Sequence, residues 1–476
     1  MADETRTFSI EQHSVDFIPE NERHGSVFSL FTLWFAANMQ ITSVVTGALA
    51  VIMGLPLIWA IIAIVLGNAL GGIFMALHSA QGPRMGIPQM IQSRAQFGFY
   101  GAILPLILVI ILYIGFFASS GVLGGQALSA WTGLPVTPSI IIVAAFCTVL
   151  AIFGYTLIHR YEGITSILFL IGFIYLTIRL LLQGGISHAF SGSTPFTFGT
   201  FLLVVSVTAS WQLTYGPYVS DYSRYLPHNT PQSLSFWWTY LGSVISSIWM
   251  MCFGSIAVAI ASKQFQADAV SYVVAQAGHG LGGIMFLLIL LGIVAANVLN
   301  LYGFFMTTTA AIAVGQRFRM RMSVRILFIL VAAIIGTAVA ILGQGNFISN
   351  YETFLNFLLY FLLPWSAISI VDFYFVRREQ YDIQAIFDPH GIYGLINWRT
   401  FIAYIVAILC ELPFANTTFY VGFIAPHLGG ADIAWIVGLI VSGGLYYLLQ
   451  RGRAVLPASQ PSPATQDEKG QEVSKA

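Results

Sequence analysis

Charge is what this chain has least of. Only 8% of its 476 residues are Asp, Glu, Lys or Arg, while 57% are hydrophobic. Water-soluble domains carry about 25% charged residues, and a soluble fold this large could not cover its surface with so few. In a bilayer lipid replaces water around most of the surface, and that requirement lapses. Cysteine is scarce as well. Cys147, Cys252 and Cys410 each stand alone in an apolar run, which argues against a disulfide framework or a metal site and for small packing residues. The formal net charge is zero, so nothing suggests nucleic acid as a partner. The first 25 residues are polar and charged, and no cleavable signal peptide with an apolar core is expected. A His-Glu-x-x-His motif and a Gly-x-x-x-x-Gly-Lys loop are both missing, so neither a zinc enzyme nor an ATP-driven pump is expected. No filter loop or ring of like charge marks a channel. The chain is therefore read as a non-enzyme with no metal and no cofactor.

What the chain has is long apolar runs. A transmembrane helix needs about 20 mostly apolar residues. Twelve stretches qualify, at 28–51, 56–78, 101–130, 138–158, 163–183, 199–220, 236–261, 282–314, 323–343, 352–375, 397–415 and 433–450. The implied fold class is an all-α membrane protein of twelve transmembrane helices. Lys and Arg set its orientation. With the N-terminus in the cytoplasm, the inward loops hold Arg84, Arg94, Arg160, Arg224, Arg317, Arg319, Arg321, Arg325, Arg377, Arg378 and Arg399. The termini add Arg6, Arg23, Arg451, Arg453, Lys469 and Lys475, against Lys263 outside and Arg179 near the outer end of the fifth span. That bias places both termini in the cytoplasm of a multi-pass cell-membrane protein. Residues 1–27 are then a cytoplasmic segment, and 456–476, rich in Pro, Ser, Gln and charge, a disordered cytoplasmic tail.

Two spans carry polar groups where a helix would break. The first contains Ala37-Asn38-Met39-Gln40-Ile41-Thr42. The sixth contains Ala209-Ser210-Trp211-Gln212-Leu213-Thr214, followed by Tyr215-Gly216-Pro217. Gly and Pro there interrupt the helix. The hexapeptides align, as the first and sixth helices of a five-plus-five inverted repeat would. Transporters build their sites at such paired breaks, near the membrane midplane. Asn38, Gln40, Thr42 and Gln212 then either line a cavity or glue helices together; their clustering at two breaks favours the cavity. Asn297 and Asn300, three residues apart on the eighth span, share roughly one helix face. An amide pair offers donor and acceptor together, which suits a heterocyclic amide or amidine.

Several strings point to one family. They are Gly82-Pro83-Arg84-Met85-Gly86-Ile87-Pro88-Gln89-Met90 with Ser93-Arg94 and Phe97-Gly98, then His159-Arg160-Tyr161-Glu162, Ser220-Asp221-Tyr222-Ser223-Arg224-Tyr225-Leu226-Pro227, and Asn300-Leu301-Tyr302. Together these resemble the purine–cytosine permeases of the nucleobase–cation symporter family, over roughly residues 20–450. The resemblance implies a leucine-transporter-type arrangement. Residues 28–183 would form one inverted repeat (helices 1–5), 199–375 the other (helices 6–10), and 397–450 two peripheral helices, with helices 1 and 6 broken. It also implies secondary active import, by alternating access, of a nucleobase or related small heterocycle such as a purine, pyrimidine, allantoin or vitamin, with a proton or sodium. By local motif it places a ring-stacking aromatic on helix 3 at Phe116, four residues before Ser120. It places another on helix 6 at Tyr215 and an edge-binding amide on helix 8 at Asn300.

The departures narrow this. Many relatives have Trp at both aromatic positions; stacking survives in Phe116 and Tyr215 because any π-face serves. Ser120 stands where many carry Asn or Gln. One bidentate contact is lost, which argues against cytosine and leaves an oxidised purine or a pyridine vitamin. Relatives using sodium carry Ser or Thr five and six residues before the helix-8 amide; here Ala295 and Val294 stand there. A proton is therefore expected as coupling ion, in preference to sodium. Glu162 and Asp221 are either its carriers or parts of a cytoplasmic gate with Arg160 and Arg224. Arg84, in its Gly- and Pro-rich loop, suggests a hinge or gate. The competing readings are a same-fold transporter of an amino acid or other non-heterocyclic solute, and a passive channel.

Overall fold

The computed structural model describes residues 16–452 except 154, 192–194, 279, 313–321 and 418–419; side chains of 153–166 are also outside the described set. The expected N-terminal segment is thus only partly described. The C-terminal tail and Arg317, Arg319 and Arg321 lie outside the described residues, as do the side chains of Arg160 and Glu162.

Each of the twelve apolar stretches holds helix. In chain order the main elements are α1 (Phe28–Ala37), α2 (Ile41–Ile52), α3 (Leu57–Ser79), α4 (Gln89–Phe97), α5 (Ile103–Thr132), α6 (Val136–Phe153), α7 (Tyr155–Leu182), α8 (Phe198–Leu213), α9 (Val219–Ser223), α10 (Gln232–Ala267), α11 (Gly282–Ile312), α12 (Met322–Gly343), α13 (Phe347–Val371), α14 (Trp398–Glu411) and α15 (Ala434–Gln450). By length and apolarity α3, α5, α10, α11 and the continuous stretch Met322–Val376, which contains α12 and α13, are each able to cross a membrane. The pair α1 and α2, bent by 64°, makes a further span. The described parts of four further apolar helices, Val136–Ile152, Ile167–Leu182, Phe198–Leu213 and Ala434–Gln450, are shorter.

Local chemistry fixes the ends. Pro56 and Pro231 precede α3 and α10, where a missing N–H costs nothing. Gly133, at φ 79°, closes α5 in the left-handed conformation that glycine adopts without a steric penalty. α10 is two helical pieces that meet at a kink: Ala261 has non-helical φ −145° and ψ 62°, so the regular helix is interrupted at the expected end of the seventh span. The segment between α3 and α5 is not the open loop its Gly and Pro content suggests. It carries α4, whose nine residues are all buried despite three Gln, a Ser and an Arg.

Small residues set how closely the helices approach. A Cβ on Gly47 would lie 2.0 Å from the Met251 carbonyl oxygen, and one on Gly254 would lie 1.9 Å from that of Val44. Likewise a Cβ on Gly71 would lie 2.4 Å from the Ala209 carbonyl oxygen. Backbone therefore touches backbone between α2 and α10 and between α3 and α8, as small residues allow in membranes. Spans 1, 2, 6 and 7 form one tight group, while α11 packs along α5.

Replacing Gly254 with Leu should force these backbones apart, at a cost of about 1–3 kcal/mol or more. The expected result is a lowered melting temperature and loss of the monodisperse size-exclusion peak. Gly444→Leu, with no atom within 4 Å of a built Cβ, should leave both unchanged.

Candidate functional site

The break in the first span is three residues long. α1 ends at Ala37, and α2 begins at Ile41 after an extended Gln40 (φ −142°, ψ 160°). Breaking a helix frees carbonyls, and local side chains answer them. Gln40 Nε2 donates to the Ala37 carbonyl at 2.9 Å, and Asn38 Nδ2 donates to that of Trp34 at 2.9 Å. The break in the sixth span follows Leu213. There Gly216 N–H turns back onto the Leu213 carbonyl at 2.9 Å, before α9 resumes at Val219. The matching hexapeptides thus do not set break on break. In span 1 the break lies inside the hexapeptide; in span 6 it begins only at its last residue, Thr214.

Asn38 and Gln212 sit in one buried polar network. Asn38 Oδ1 accepts from Trp211 Nε1 at 2.8 Å and from Tyr215 OH at 2.9 Å, while Nδ2 also reaches Ser243 Oγ at 3.1 Å. Gln212 Nε2 donates to Asn68 Oδ1 and Ser247 Oγ, each at 3.0 Å, and its Oε1 accepts from Ser243 Oγ at 2.7 Å. Spans 1, 2, 6 and 7 are therefore joined at the level of the breaks. Both amides have their main valences filled, so their work here is holding helices. Buried polar groups tolerate little less than this.

The rings form a continuous edge-to-face series. Phe116 on α5 packs edge-on against Trp211 at 5.8 Å and Phe354 at 5.2 Å. Trp211 meets Tyr215 at 6.0 Å, and Tyr215 meets Trp34 at 5.3 Å. The helix-6 ring that touches Phe116 is thus Trp211, one turn before Tyr215. Residues four apart share a helix face, so spacing alone does not choose between them. Ser120, one turn beyond Phe116, is buried.

Asn297 and Asn300 act as a pair, though not equally. Asn300 borders a crevice with Tyr113, Phe117, Phe304 and Ala332, and its Nδ2 approaches Asn297 Oδ1 at 3.4 Å. Asn297 is wholly buried, and its Nδ2 has no hydrogen-bond partner. Trp34 Nε1, Thr42 Oγ1 and Ser43 Oγ are unpartnered too, all on span 1. Each such group costs roughly 1–3 kcal/mol while unanswered. A guest that supplies partners would recover that cost. Beside the first break, Met39, Gln40 and Ile41 face Phe169, Phe173 and Ile289 across a narrow cleft whose one polar side chain, among the described residues, is Gln40.

The expected gate residues divide. Asp221 Oδ1 accepts from the Gln89 N–H at 2.7 Å, capping α4, whose own N-cap is a proline with no side-chain bond. Arg84 pairs with Glu379 at 3.7 Å, partly exposed. Glu162 lies outside the described side chains. Sequence reasoning passed over His78 and Asp372. Asp372 accepts from Gln96, Arg377, Tyr381 and Tyr446, fastening α4 and α15 to the end of α13.

A family model described as a permease for cytosine/purines, uracil, thiamine and allantoin matches residues 17–438. The chain belongs to that family. The permease is 47% identical over 444 residues to the putative purine-cytosine permease YxlA of Bacillus subtilis (strain 168), covering 93% of this chain and 96% of that one. It is 27% identical to the purine-cytosine permease fcyB of Emericella nidulans, covering 93% and 88%. Among solved structures it resembles the inward-facing conformation of Mhp1, with a TM-score of 0.77 at 21% identity over 98% and 99% of the two chains. Mhp1, a nucleobase-cation-symport-1 family transporter, in a closed conformation with bromovinylhydantoin bound, gives 0.74 at 20% identity over 96% and 98%. At that identity the likeness carries the fold.

Asn38→Ala would strand the Trp211 N–H and the Tyr215 hydroxyl. At about 1–3 kcal/mol per orphaned donor, the variant should melt well below wild type in detergent, whether or not solute is present. An unchanged melting curve would mean that the network does not hold the breaks.

Proposed function

We propose that this permease is a proton symporter that imports a small, uncharged, planar heterocycle across the cell membrane, with both termini in the cytoplasm. The aromatic cluster Phe116–Trp211–Tyr215 beside the helix-6 break carries the reading. Aromatic faces hold flat rings without regard to their edge. Edge recognition then falls to Asn297, whose open Nδ2 suits a ring carbonyl oxygen, with Asn300 steadying it, and to the open hydroxyls after the first break. Tyr215 and Asn38 shape the wall from behind. Ser120 contributes a single hydroxyl, which favours an oxopurine such as hypoxanthine over cytosine. The names of the relatives support the same substrate class, and the arginine distribution supports the orientation.

The absence of hydroxyls at Val294 and Ala295, and the apolar cleft beside Met39 and Gln40, support a proton rather than sodium. Sodium in that cleft would need oxygens that its side chains, Gln40 apart, do not carry. Asp221 and Arg84 serve the gate: one caps the buried helix between spans 2 and 3, the other closes over it.

A thermal-shift screen of purines, pyrimidines, allantoin, thiamine and pyridoxine should find a solute that raises the melting temperature by mass action. Phe116→Ala and Trp211→Ala should each weaken that solute by about 1–3 kcal/mol, about five- to 150-fold in Kd. Asn297→Ala should weaken it more than Asn300→Ala does. Retention of full affinity by both aromatic variants would misplace the site. In proteoliposomes an inward proton gradient should drive accumulation and a protonophore should abolish it. Uptake that needs sodium and ignores protons would overturn the coupling assignment, and equilibration without accumulation would indicate a channel.

A further inference from the structure

A second buried cluster lies one layer below the helix-6 break. His78, near the end of α3, is fully buried. Its ring stacks on Trp365 of α13 at 4.9 Å and 11°. Nε2 meets Ser366 Oγ of α13 at 2.8 Å, and Nδ1 meets Gln89 Nε2 of α4 at 3.2 Å. Gln89 Oε1 in turn accepts from Ser220 Oγ of α9, whose oxygen accepts from Gln92 Nε2 at 3.3 Å. A Cβ on Gly216, in the break itself, would sit 3.3 Å from His78 Cδ2. One imidazole therefore joins span 2, the buried α4, the lower half of span 6 and span 10, while touching the hinge beside the site.

The bonds fix the tautomer. An amide nitrogen only donates, so Nδ1 holds a lone pair and the ring proton sits on Nε2, directed at Ser366. The ring is neutral in this arrangement. Charged groups on the surrounding elements are committed elsewhere. Asp221 caps α4, Arg94 donates to the Ala310 carbonyl and lies over Phe99, and Arg224 donates to the carbonyls of Asp221 and Asp16. Asp372 holds Arg377, and Tyr374 donates to the Leu77 carbonyl.

We infer that His78 is the coupling residue: it takes up the transported proton at Nδ1, and that uptake opens the contact between α4 and the helix-6 hinge. This rests on the proton-coupling reading above. A proton entering past the Gly216 hinge binds the Nδ1 lone pair and makes the imidazolium. Nδ1–H then points at an N–H of Gln89, two donors face to face, and the ring carries a charge among neutral partners. The latch parts and water reaches the ring. The proton leaves to the inner side with the solute, and the neutral ring re-forms its bonds. Histidine suits this because its ordinary pKa lies near 6.5 and small changes of surroundings move it across physiological pH.

The test uses the full chain and needs no solute for its first arm. A stacked imidazolium quenches indole emission. Subtracting the Trp365→Phe spectrum from wild type isolates Trp365 among the ten tryptophans. That difference emission should fall on acidification between about pH 7 and pH 4, and the fall should vanish in His78→Asn. In the second arm, hypoxanthine uptake into proteoliposomes under an imposed proton gradient should lose its pH profile in His78→Asn and in His78→Gln. Trp365 emission flat across that range in wild type, or His78→Asn accumulating hypoxanthine with the wild-type pH profile, overturns the assignment and leaves proton coupling standing with another carrier. Wild-type uptake that ignores the proton gradient overturns both. The first arm is read on wild-type protein, so a variant that fails to fold does not decide it.

Discussion

Everything in this permease hangs on one exchange. A helix broken inside a membrane exposes backbone groups that lipid cannot satisfy, and buried amides satisfy them instead. Asn38 is the centre of that exchange. It bonds its own helix through the Trp34 carbonyl, span 7 through Ser243, and span 6 through Trp211 and Tyr215. Gln212 repeats the pattern toward Asn68, Ser243 and Ser247. Because the glycines of α2, α3 and α10 let backbones touch, these short side chains reach across. The breaks can exist only where that network exists. The network in turn is geometrically possible only where the helices are pressed together.

The same break sorts the polar groups into two populations. Asn38, Gln40 and Gln212 are answered by protein and do structural work. Asn297 Nδ2, Trp34 Nε1, Thr42 and Ser43 are buried and unanswered. In a low-dielectric interior an unanswered donor is a standing cost, and it is tolerated where some other molecule relieves it. Rigid walls with a few open valences are what a binding site for an uncharged ring requires. A satisfied network alone would bind nothing.

How far the sequence reveals this follows from what each residue's chemistry constrains. Apolar length places helix in each of the twelve stretches, and the expected end of the seventh coincides with the kink at Ala261. Gly216 and Pro217 mark the sixth break because their backbones leave little choice. Phe116 is legible by motif, and it does meet a ring of helix 6. Which ring is not legible, since Trp211 and Tyr215 lie four apart on one face and only the packed partner separates them. The hexapeptide match finds both polar segments and misjudges their register, because a shared composition of amides and hydroxyls says nothing about where each backbone turns. The segment holding α4 looks like a loop from its glycines and prolines, yet Gln89, Gln92 and Arg94 are buried in it. Its polar side chains find partners on spans 6, 8 and 10 that are distant in sequence. His78 and Asp372 escape notice for the same reason: each is ordinary until its neighbours are known.

Those neighbours also suggest why one end of the molecule can move while another holds. Asp372 bonds Arg377, Gln96, Tyr381 and Tyr446, a buried charge with four donors. Removing one partner of such a pair typically costs about 3–5 kcal/mol, so this junction stays closed through any cycle run near thermal energies. The contacts between α4 and the lower half of span 6 are of another kind. Apart from the Asp221 cap they are neutral bonds among Gln89, Gln92 and Ser220, each worth about 1 kcal/mol net. Water can replace them at little cost once it enters. A transporter needs both: a fixed edge to move against, and a seam weak enough that binding one small solute decides whether it is open.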